Sequence, residues 1–387
     1  MLFRTFLACL LLSGWAQATT IAIPKPDKIV RPVAAPPSLA ATSYLLIDGA
    51  TGQILAEHNS NMQVEPASLT KLMTAYILEQ QIKSGTVSMD DEVPISVEAW
   101  KTEGSRMFVR EGTRVRMEDL LRGIIIQSGN DASVAVAEYL SGTEDAFADL
   151  MNAQAQTLGM SSTGYRNSTG LPAEGHLTTA QDLAILARQI IYEHPDLYKI
   201  YSEKTFTYND IKQENRNRLL WRDPSVDGLK TGHTNAAGYC LVASAVRDGM
   251  RLISIVMGTD SANARERETA KLLNYGYRYF EGVNLYDAGQ DLGQDVRVWG
   301  GEMDSLAIGP AETIYRVLPK GARDRLELTL EMDQEVVAPV SQGQVLGQVQ
   351  LSLDGEVLST TPVVALGNVA EGGWFKQAMD WVLRAMQ

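Results

Sequence analysis

The stretch Pro66-Ala67-Ser68-Leu69-Thr70-Lys71-Leu72-Met73 places a hydroxyl and an amine three residues apart at the start of an apolar run. Apolar side chains recur there at helical spacing, which predicts a largely buried helix over residues 68–82. Residues i and i+3 share a helix face, so the Lys71 amine can reach the Ser68 hydroxyl. A serine becomes a nucleophile when a neighbouring base accepts its proton, and a buried lysine can be that base. The spacing alone also fits an N-cap serine followed by a solvated lysine.

Length and composition indicate a folded protein of several domains. The chain has 387 residues, which exceeds one typical domain and predicts two or three. Its apolar content of 45% and charged content of 21% are typical of globular proteins with large cores. The net charge of −13 argues against a nucleic-acid partner, because phosphate neutralisation requires a basic surface.

Residues 1–18 have the pattern of a secretory signal peptide. Arg4 precedes an apolar run, and Ala16-Gln17-Ala18 predicts cleavage after Ala18. A membrane-spanning helix is the weaker alternative, because the run is well short of the roughly 20 residues that a bilayer requires. A lipoprotein signal is weaker still, since Cys9 lies inside the apolar run. Cys240 is then the one cysteine left, so we expect an exported protein without an internal disulfide.

The pattern after the signal peptide divides the chain into further segments. Residues 19–42 contain five prolines and predict an extended linker or a loosely attached arm. Residues 43–285 predict one domain with an irregular part at 87–109. The expected elements there are a hairpin at 43–48 and 53–56, helices at 117–125, from 131 and at 141–158, a helix from 180, a hairpin at 239–245 and 252–257, and a helix at 267–281. Thr143 is the expected N-cap of the 141–158 helix, and Thr178 or Thr179 that of the helix from 180.

The last third of the chain changes character. Residues 286–366 alternate apolar and polar side chains between turns, which predicts a small antiparallel β domain. Residues 370–387 predict an amphipathic helix that carries Trp374 and Trp381. With no core left for its apolar face, we favour a position in a membrane interface. Docking onto the β domain is the alternative.

Three short motifs stand in order along the chain: Ser68-Leu69-Thr70-Lys71, Ser128-Gly129-Asn130 and Lys230-Thr231-Gly232. Ser128 and Asn130 are expected on a short turn between two buried helices. This trio is known from β-lactamases and penicillin-binding proteins. Over nearly the whole mature chain, the sequence resembles the low-molecular-mass penicillin-binding proteins that act as D-alanyl-D-alanine carboxypeptidases.

This resemblance implies a fold and a set of partners. The expected fold is α/β (α+β), of the serine β-lactamase and DD-peptidase-like transpeptidase type: an antiparallel sheet flanked by helices, then a small all-β domain and a C-terminal amphipathic helix. The implied substrate is the peptidoglycan stem peptide, with β-lactams as covalent inhibitors and no cofactor. The implied location is the periplasmic face of the cytoplasmic membrane, where the protein is peripheral and held by its C-terminal helix.

The resemblance also implies a role for each motif residue. Ser68 is the nucleophile, Lys71 its base, and Ser128 passes a proton to the leaving amine. Substrate-binding roles fall to Asn130, Lys230, Thr231, Gly232 and His233. Lys230 is also expected to add positive potential that helps keep Lys71 neutral, and Gly232 to leave room for substrate along its strand. The backbone N–H groups of Ser68 and His233 are the expected oxyanion hole.

Several residues keep two interpretations. Arg265 is our candidate for binding the substrate carboxylate, with Arg267 as its rival. His176 fits equally a residue that shapes the cleft and a structural loop histidine. His58 and His194 lack metal-ligand spacing, so no metal site is expected.

Three other functions compete with the carboxypeptidase. A class A β-lactamase requires a Glu-x-x-x-Asn loop, whereas Glu174 is followed by Gly175, His176, Leu177 and Thr178. We therefore expect slow deacylation of penicillin. A DD-endopeptidase shares the same motifs, and an inactive cell-wall scaffold is opposed by the intact trio.

Overall fold

A computed structural model describes residues 19–21 and 33–386 of the chain. The predicted signal peptide and residues 22–32 lie outside the described residues. The chain forms two compact units, Val33–Phe280 and a second unit that contains Glu281–Gln387. The division falls at Phe280, before the expected end of the catalytic domain at 285, because the strand that follows pairs with a strand of the second unit.

The expected linker is not free along its whole length. Thr19–Ile21 forms a short strand, β1, which pairs antiparallel with residues 328–330 of the second unit. The prediction of an extended linker or a loosely attached arm did not include this pairing. The composition of these three residues explains it, because consecutive β-branched residues favour extended backbone.

The first unit is built on a five-stranded antiparallel sheet. Its order is β3-β2-β10-β9-β8, and the helices α6 and α9 pack against it. The strands of the unit are β2 Ser43–Asp48, β3 Ile54–His58, β4 Glu92–Pro94, β5 Arg114–Arg116, β6 Thr205–Tyr208, β7 Ile211–Glu214, β8 Val226–Thr234, β9 Gly238–Arg247 and β10 Met250–Thr259. The helices are α1 Lys71–Lys83, α2 Val97–Lys101, α3 Met117–Arg122, α4 Asn130–Ser141, α5 Glu144–Thr157, α6 Ala180–Glu193, α7 Pro195–Tyr198, α8 Leu219–Arg222 and α9 Ala262–Tyr279.

Local sequence signals account for most of these elements. The β9–β10 hairpin turns at Asp248 and Gly249, whose φ angles of 50° and 78° are those that a tight hairpin turn requires. Thr143 and Thr179 cap α5 and α6 through their side-chain oxygens, as predicted. Helix α9 starts before the expected residue 267, because Ser261 accepts the Ala264 N–H and so caps the helix there.

Two local features depart from the predicted pattern. The helix expected from residue 68 begins as a 3-10 turn, Ala67–Thr70, before α1. The helix expected at 117–125 loosens into a π-helical turn, Gly123–Gln127, which ends at Ser128 with a left-handed backbone. Such π turns are rare and frequently occur at functional sites. Both departures coincide with the predicted site motifs.

The second unit is dominated by β-structure. Its seven-stranded sheet has the order β1-β15-β17-β18-β13-β12-β16, and β11 pairs with β14. The strands are β11 Phe280–Tyr286, β12 Asp295–Trp299, β13 Ser305–Pro310, β14 Ile314–Pro319, β15 Leu326–Met332, β16 Val336–Val337, β17 Val345–Leu353 and β18 Glu356–Ala365. Alternate side chains of these strands form its apolar core.

The predicted C-terminal helix is present as α10, Trp374–Ala385. Its polar side contacts turns next to the β-strands: the buried Asp380 carboxylate accepts the Gly300 N–H at 2.8 Å, Lys376 pairs with Asp304, and Arg384 pairs with Glu335. Its apolar side chains are exposed: Trp374, Phe375, Met379, Trp381, Val382, Leu383 and Met386. The helix therefore docks through its polar face and leaves its apolar face uncovered.

Candidate active site

The amine of Lys71 lies at the centre of the three predicted motifs. Its Nζ atom is 3.3 Å from Ser68 Oγ, 2.7 Å from Asn130 Oδ1 and 2.5 Å from the Thr169 carbonyl oxygen. A neutral amine has two N–H bonds, which the amide and the carbonyl accept. Its lone pair is then left for the proton of Ser68. The contacts therefore suit a base that acts on Ser68.

The environment of Lys71 favours this neutral form. Burial, and next the positive charge of Arg216, lower the pKa of Lys71 to about 7. The carboxylates of Asp131 and Glu144 act in the opposite direction and limit the decrease. A pKa near neutral pH leaves a large neutral fraction while the amine keeps its basicity, which general-base catalysis requires.

The second motif is held on the turn that the sequence predicts. Ser128 has a φ of 66°, which is uncommon for a residue with a side chain, and its Oγ is buried without a hydrogen-bond partner among the described residues. The backbone N–H of Asn130 donates to the Ser105 carbonyl, and its side-chain amide donates to the Glu103 backbone carbonyl. Strained backbone and an unpartnered hydroxyl fit a group that waits for a ligand.

Strand β8 carries the third motif. Lys230 is buried, and its pKa is lowered well below the usual value by burial, then by the charges of Lys71, Arg216 and Arg265. A Cβ atom on Gly232 would lie 3.0 Å from the Pro66 carbonyl oxygen and 3.3 Å from Ala67 Cβ. The glycine thus lets β8 pack against the turn that holds Ser68. The structure therefore shows a packing constraint at Gly232, and the expected room for substrate stays a prediction.

The structure separates the two candidate arginines. Arg265 is 7% exposed and donates from Nη1 to the Gly232 carbonyl at 3.3 Å. Its guanidinium lies over the Tyr239 ring, on which the exposed His233 ring also stacks at 3.9 Å. Arg267 is exposed and pairs with Glu268 at 2.8 Å. Arg265 therefore contacts β8, whereas Arg267 is engaged by its neighbour on α9.

Comparison with known proteins then decides the family. The model of the D-alanyl-D-alanine carboxypeptidase family matches residues 31–261, and that of the penicillin-binding protein 5 C-terminal domain matches residues 280–371. The chain belongs to the D-alanyl-D-alanine carboxypeptidase family. This confirms the resemblance and the fold class inferred from the sequence.

Individual members of the family resemble the chain over most of its length. It is 41% identical over 354 residues to the D-alanyl-D-alanine carboxypeptidase DacA of Escherichia coli (strain K12), covering 89% of this chain and 88% of the relative. Penicillin-binding protein 5 from Haemophilus influenzae has a TM-score of 0.79 and 40% identity, covering 87% of this chain and all of that one. The ampicillin-bound penicillin-binding protein D2 from Listeria monocytogenes has a TM-score of 0.57 and 32% identity, covering 62% of this chain and 98% of that one.

The sequence of this carboxypeptidase-family member allows His176 either to shape the cleft or to be a structural loop histidine, and the structure shows its contacts. Its Nδ1 accepts the Arg166 N–H at 3.2 Å, so Nε2 carries the proton and donates to Thr70 Oγ1 at 2.8 Å. Burial, then the charges of Arg166 and Lys71, lower the pKa of His176 to about 4. The ring is therefore neutral at physiological pH and ties its loop to the turn between Ser68 and Lys71.

Two groups at the site carried no sequence signal. Thr169 acts through a backbone carbonyl, which any residue could supply. Arg216 donates from Nε to the Gln127 carbonyl at 2.9 Å, next to Ser128, although it lies far from Ser128 in the sequence. Within the described part of the chain, no three His, Cys, Asp or Glu side chains are grouped to hold a metal ion.

The pKa of Lys71 predicts how acylation depends on pH. Protonated Lys71 cannot accept the Ser68 proton, so acylation by a fluorescent penicillin should be slow at pH 5 and rise through about pH 7. Arg216→Gln removes a charge that lowers this pKa. The rising limb of the plot of acylation rate against pH should therefore move to higher pH. Arg218→Gln, which removes an exposed arginine paired with Glu214, is the control. A limb that moves equally in both variants would contradict this assignment.

Gly170 should be intolerant of any side chain. Its φ is 85°, and a Cβ atom there would lie 1.8 Å from the Ala67 carbonyl oxygen. The matched control is Gly159, whose φ is 78° and whose Cβ would have no atom within 4 Å. Gly159→Ala should lower the free energy of unfolding by about 1–2 kcal/mol through backbone strain. Gly170→Ala should lower the free energy of unfolding by roughly 1–3 kcal/mol more than Gly159→Ala, through overpacking, and should also slow acylation. Equal denaturation midpoints of the two variants would refute this.

Proposed function

We propose that this chain is a serine-type D-alanyl-D-alanine carboxypeptidase that removes the terminal D-alanine from peptidoglycan stem pentapeptides. The contact of the buried Lys71 amine with Ser68, inside the family's trio of motifs, is the observation that carries this proposal. The match of both family models along the chain supports it.

The reaction begins with attack of Ser68 Oγ on the carbonyl carbon between the two D-alanines. Lys71 accepts the hydroxyl proton, and the carbonyl oxygen becomes an oxyanion that the backbone N–H groups of Ser68 and His233 stabilise. One such donor lowers the barrier by about 3 kcal/mol. Ser128 relays the proton from Lys71 to the leaving amine, which returns Lys71 to its neutral form, and the C–N bond breaks. The free D-alanine departs and leaves an ester on Ser68.

Substrate is oriented by the groups around this ester. Lys230 and Thr231 offer hydrogen-bond donors to the terminal carboxylate, Arg265 adds positive charge, and Asn130 holds the substrate amide. Water then attacks the ester while Lys71 accepts its proton; that proton passes to Ser68 Oγ as the C–O bond breaks, which releases the shortened peptide and the free Ser68 hydroxyl. A β-lactam carbonyl meets the same nucleophile and forms the same kind of ester.

Other functions are weaker in light of the site. Rapid β-lactam hydrolysis requires a base that activates water beside the ester. Glu174 is exposed, and its carbonyl accepts a hydrogen bond from Arg166, so its loop position does not suit that role. A DD-endopeptidase would use the same residues on a cross-linked peptide. The match to the penicillin-binding protein 5 C-terminal domain and the 41% identity to a relative named a carboxypeptidase favour the pentapeptide as substrate.

We further propose that the protein is exported and bound peripherally to the periplasmic face of the cytoplasmic membrane through α10. Trp374 and Trp381 are 79% and 73% exposed, and the ion pairs of Lys376 and Arg384 hold the opposite side of the helix on the β-strands. An exposed apolar face of this size suits a bilayer interface. Among residues 19–21 and 33–386, no helix is long and apolar enough to cross a bilayer.

Labelling and product analysis test the proposed reaction. Wild type should bind fluorescent penicillin covalently and release D-alanine from a pentapeptide, whereas Ser68→Ala should do neither. Ser161→Ala, at an exposed serine, should retain both activities. Equal labelling of wild type and Ser68→Ala would eliminate Ser68 as nucleophile. Release of product from a cross-linked muropeptide but not from the pentapeptide would identify an endopeptidase.

Partition between membrane and soluble fractions tests the role of α10. Replacing both Trp374 and Trp381 by glutamine should move the exported protein to the soluble fraction, because the two largest exposed apolar side chains leave the helix. Trp221→Gln is the control, since Trp221 is 40% exposed on the first unit. Deletion of residues 373–387 should have the stronger effect. Unchanged membrane association of the deletion variant would refute the anchor.

A further inference from the structure

The loop that supplies the Thr169 carbonyl is held by an acidic side chain of α5. Glu144 Oε1 accepts hydrogen bonds from both donors of Ser168: the backbone N–H at 2.9 Å and Oγ at 2.6 Å. Ser168 is fully buried and directly precedes Thr169, whose carbonyl contacts the Lys71 amine. We propose that Glu144 is a positioning residue that fixes the Thr169 carbonyl and thereby aims the Lys71 amine at Ser68.

The other contacts of the loop make it a rigid link rather than a hinge. Thr74 Oγ1 donates to the Ser168 carbonyl at 2.7 Å, so Ser168 is held on both sides. The Asn167 side chain accepts the N–H groups of Thr169 and Gly170. Removing the Glu144 carboxylate would leave two buried donors of Ser168 unpaired, and the loop would have to shift to find acceptors. Such a shift would move the Thr169 carbonyl away from Lys71.

Glu144 also acts on Lys71 through its charge. The charged or titratable groups around Lys71 are Asp131, Glu144, Arg216, Lys230 and His176. Asp131 accepts backbone N–H groups of Met107, Phe108 and Val109, so its removal would disturb the segment beside Asn130. Glu144 is the acidic neighbour that can be neutralised while its hydrogen bonds are kept. Its charge raises the pKa of Lys71, against the effect of Arg216.

Three variants separate the hydrogen bonds from the charge. Glu144→Gln keeps an acceptor for Ser168 and removes the charge. Ser168→Ala keeps the charge and removes one hydrogen bond. Glu144→Ala removes both. Asp145→Asn is the matched control, because Asp145 is an exposed acid in the same first turn of α5. Each full-length variant is assayed for its penicillin acylation rate from pH 5 to 9 and for its thermal denaturation midpoint.

The expected results differ between the variants. Glu144→Ala should acylate about tenfold more slowly at its optimum than wild type, because a misplaced base loses rate steeply. Ser168→Ala should lose less of its acylation rate than Glu144→Ala, and the pH at which its rate rises should not change. Glu144→Gln should keep most of the rate, and its limb should move to lower pH, since loss of the negative charge lowers the pKa of Lys71. Asp145→Asn should match wild type in both measurements.

Two results would overturn the inference. One is Glu144→Ala acylation equal to that of Asp145→Asn at every pH. The other has two parts: the acylation rates of the variants fall in proportion to their denaturation midpoints, and Glu144→Gln does not shift the pH dependence of acylation. This result would indicate a purely structural contact. The inference rests on the proposed acylation of Ser68 with Lys71 as base. A wild type that fluorescent penicillin fails to label would contradict that chemistry, whereas a labelled wild type with unaffected Glu144 variants contradicts this inference alone.

Discussion

The burial of the Lys71 amine is the constraint to which the rest of the first unit is adapted. An ammonium group without an opposite charge in contact costs several kcal/mol, roughly, when it is removed from water. The structure surrounds Lys71 with a neutral amide and a neutral carbonyl, at 2.7 and 2.5 Å, and no carboxylate of the described residues is at hydrogen-bond distance from its amine. This arrangement satisfies two N–H bonds and leaves Ser68 Oγ, at 3.3 Å, as the third neighbour of Nζ. The protein therefore holds an amine whose easiest way to avoid a buried charge is to remain neutral beside a serine.

Each acceptor of Lys71 comes from a segment with unusual backbone or close packing. Asn130 opens α4 immediately after the π-helical turn and the left-handed Ser128. Thr169 precedes Gly170, whose Cα faces the Ala67 carbonyl too closely for any side chain. Strand β8 approaches the same turn through Gly232. The segments that contain Asn130, Thr169 and Gly232 all pack near the turn that holds Ser68 and Lys71. We therefore expect a change in any of them to alter the direction in which the Lys71 amine points.

The sequence predicted those parts of this arrangement that short-range patterns encode. The Ser68 to Lys71 spacing, the turn at Ser128, the N-caps of α5 and α6 and the β9–β10 hairpin follow from neighbours within a few residues. The Thr169 carbonyl could not be predicted, since a backbone oxygen has no side-chain signature. Arg216 and Glu144 act through charges that only the tertiary fold brings to Lys71. The packing role of Gly232 was likewise hidden, because the residues that it contacts are distant in the sequence.

Both units contain side chains whose burial departs from the usual pattern, at the site in the first unit and in α10 in the second. Globular proteins normally bury apolar groups and expose charged ones, and departures from this pattern require a compensating function. The first unit departs by burying two lysines of one motif trio, Lys71 and Lys230. The second departs by exposing both tryptophans of a helix whose Asp380 is buried. The polar groups of α10, Asp380, Lys376 and Arg384, have partners within the second unit. The apolar face of α10 is exposed. The same comparison of satisfied and unsatisfied groups therefore supports both proposals, that Lys71 is the base and that the apolar face of α10 meets a bilayer.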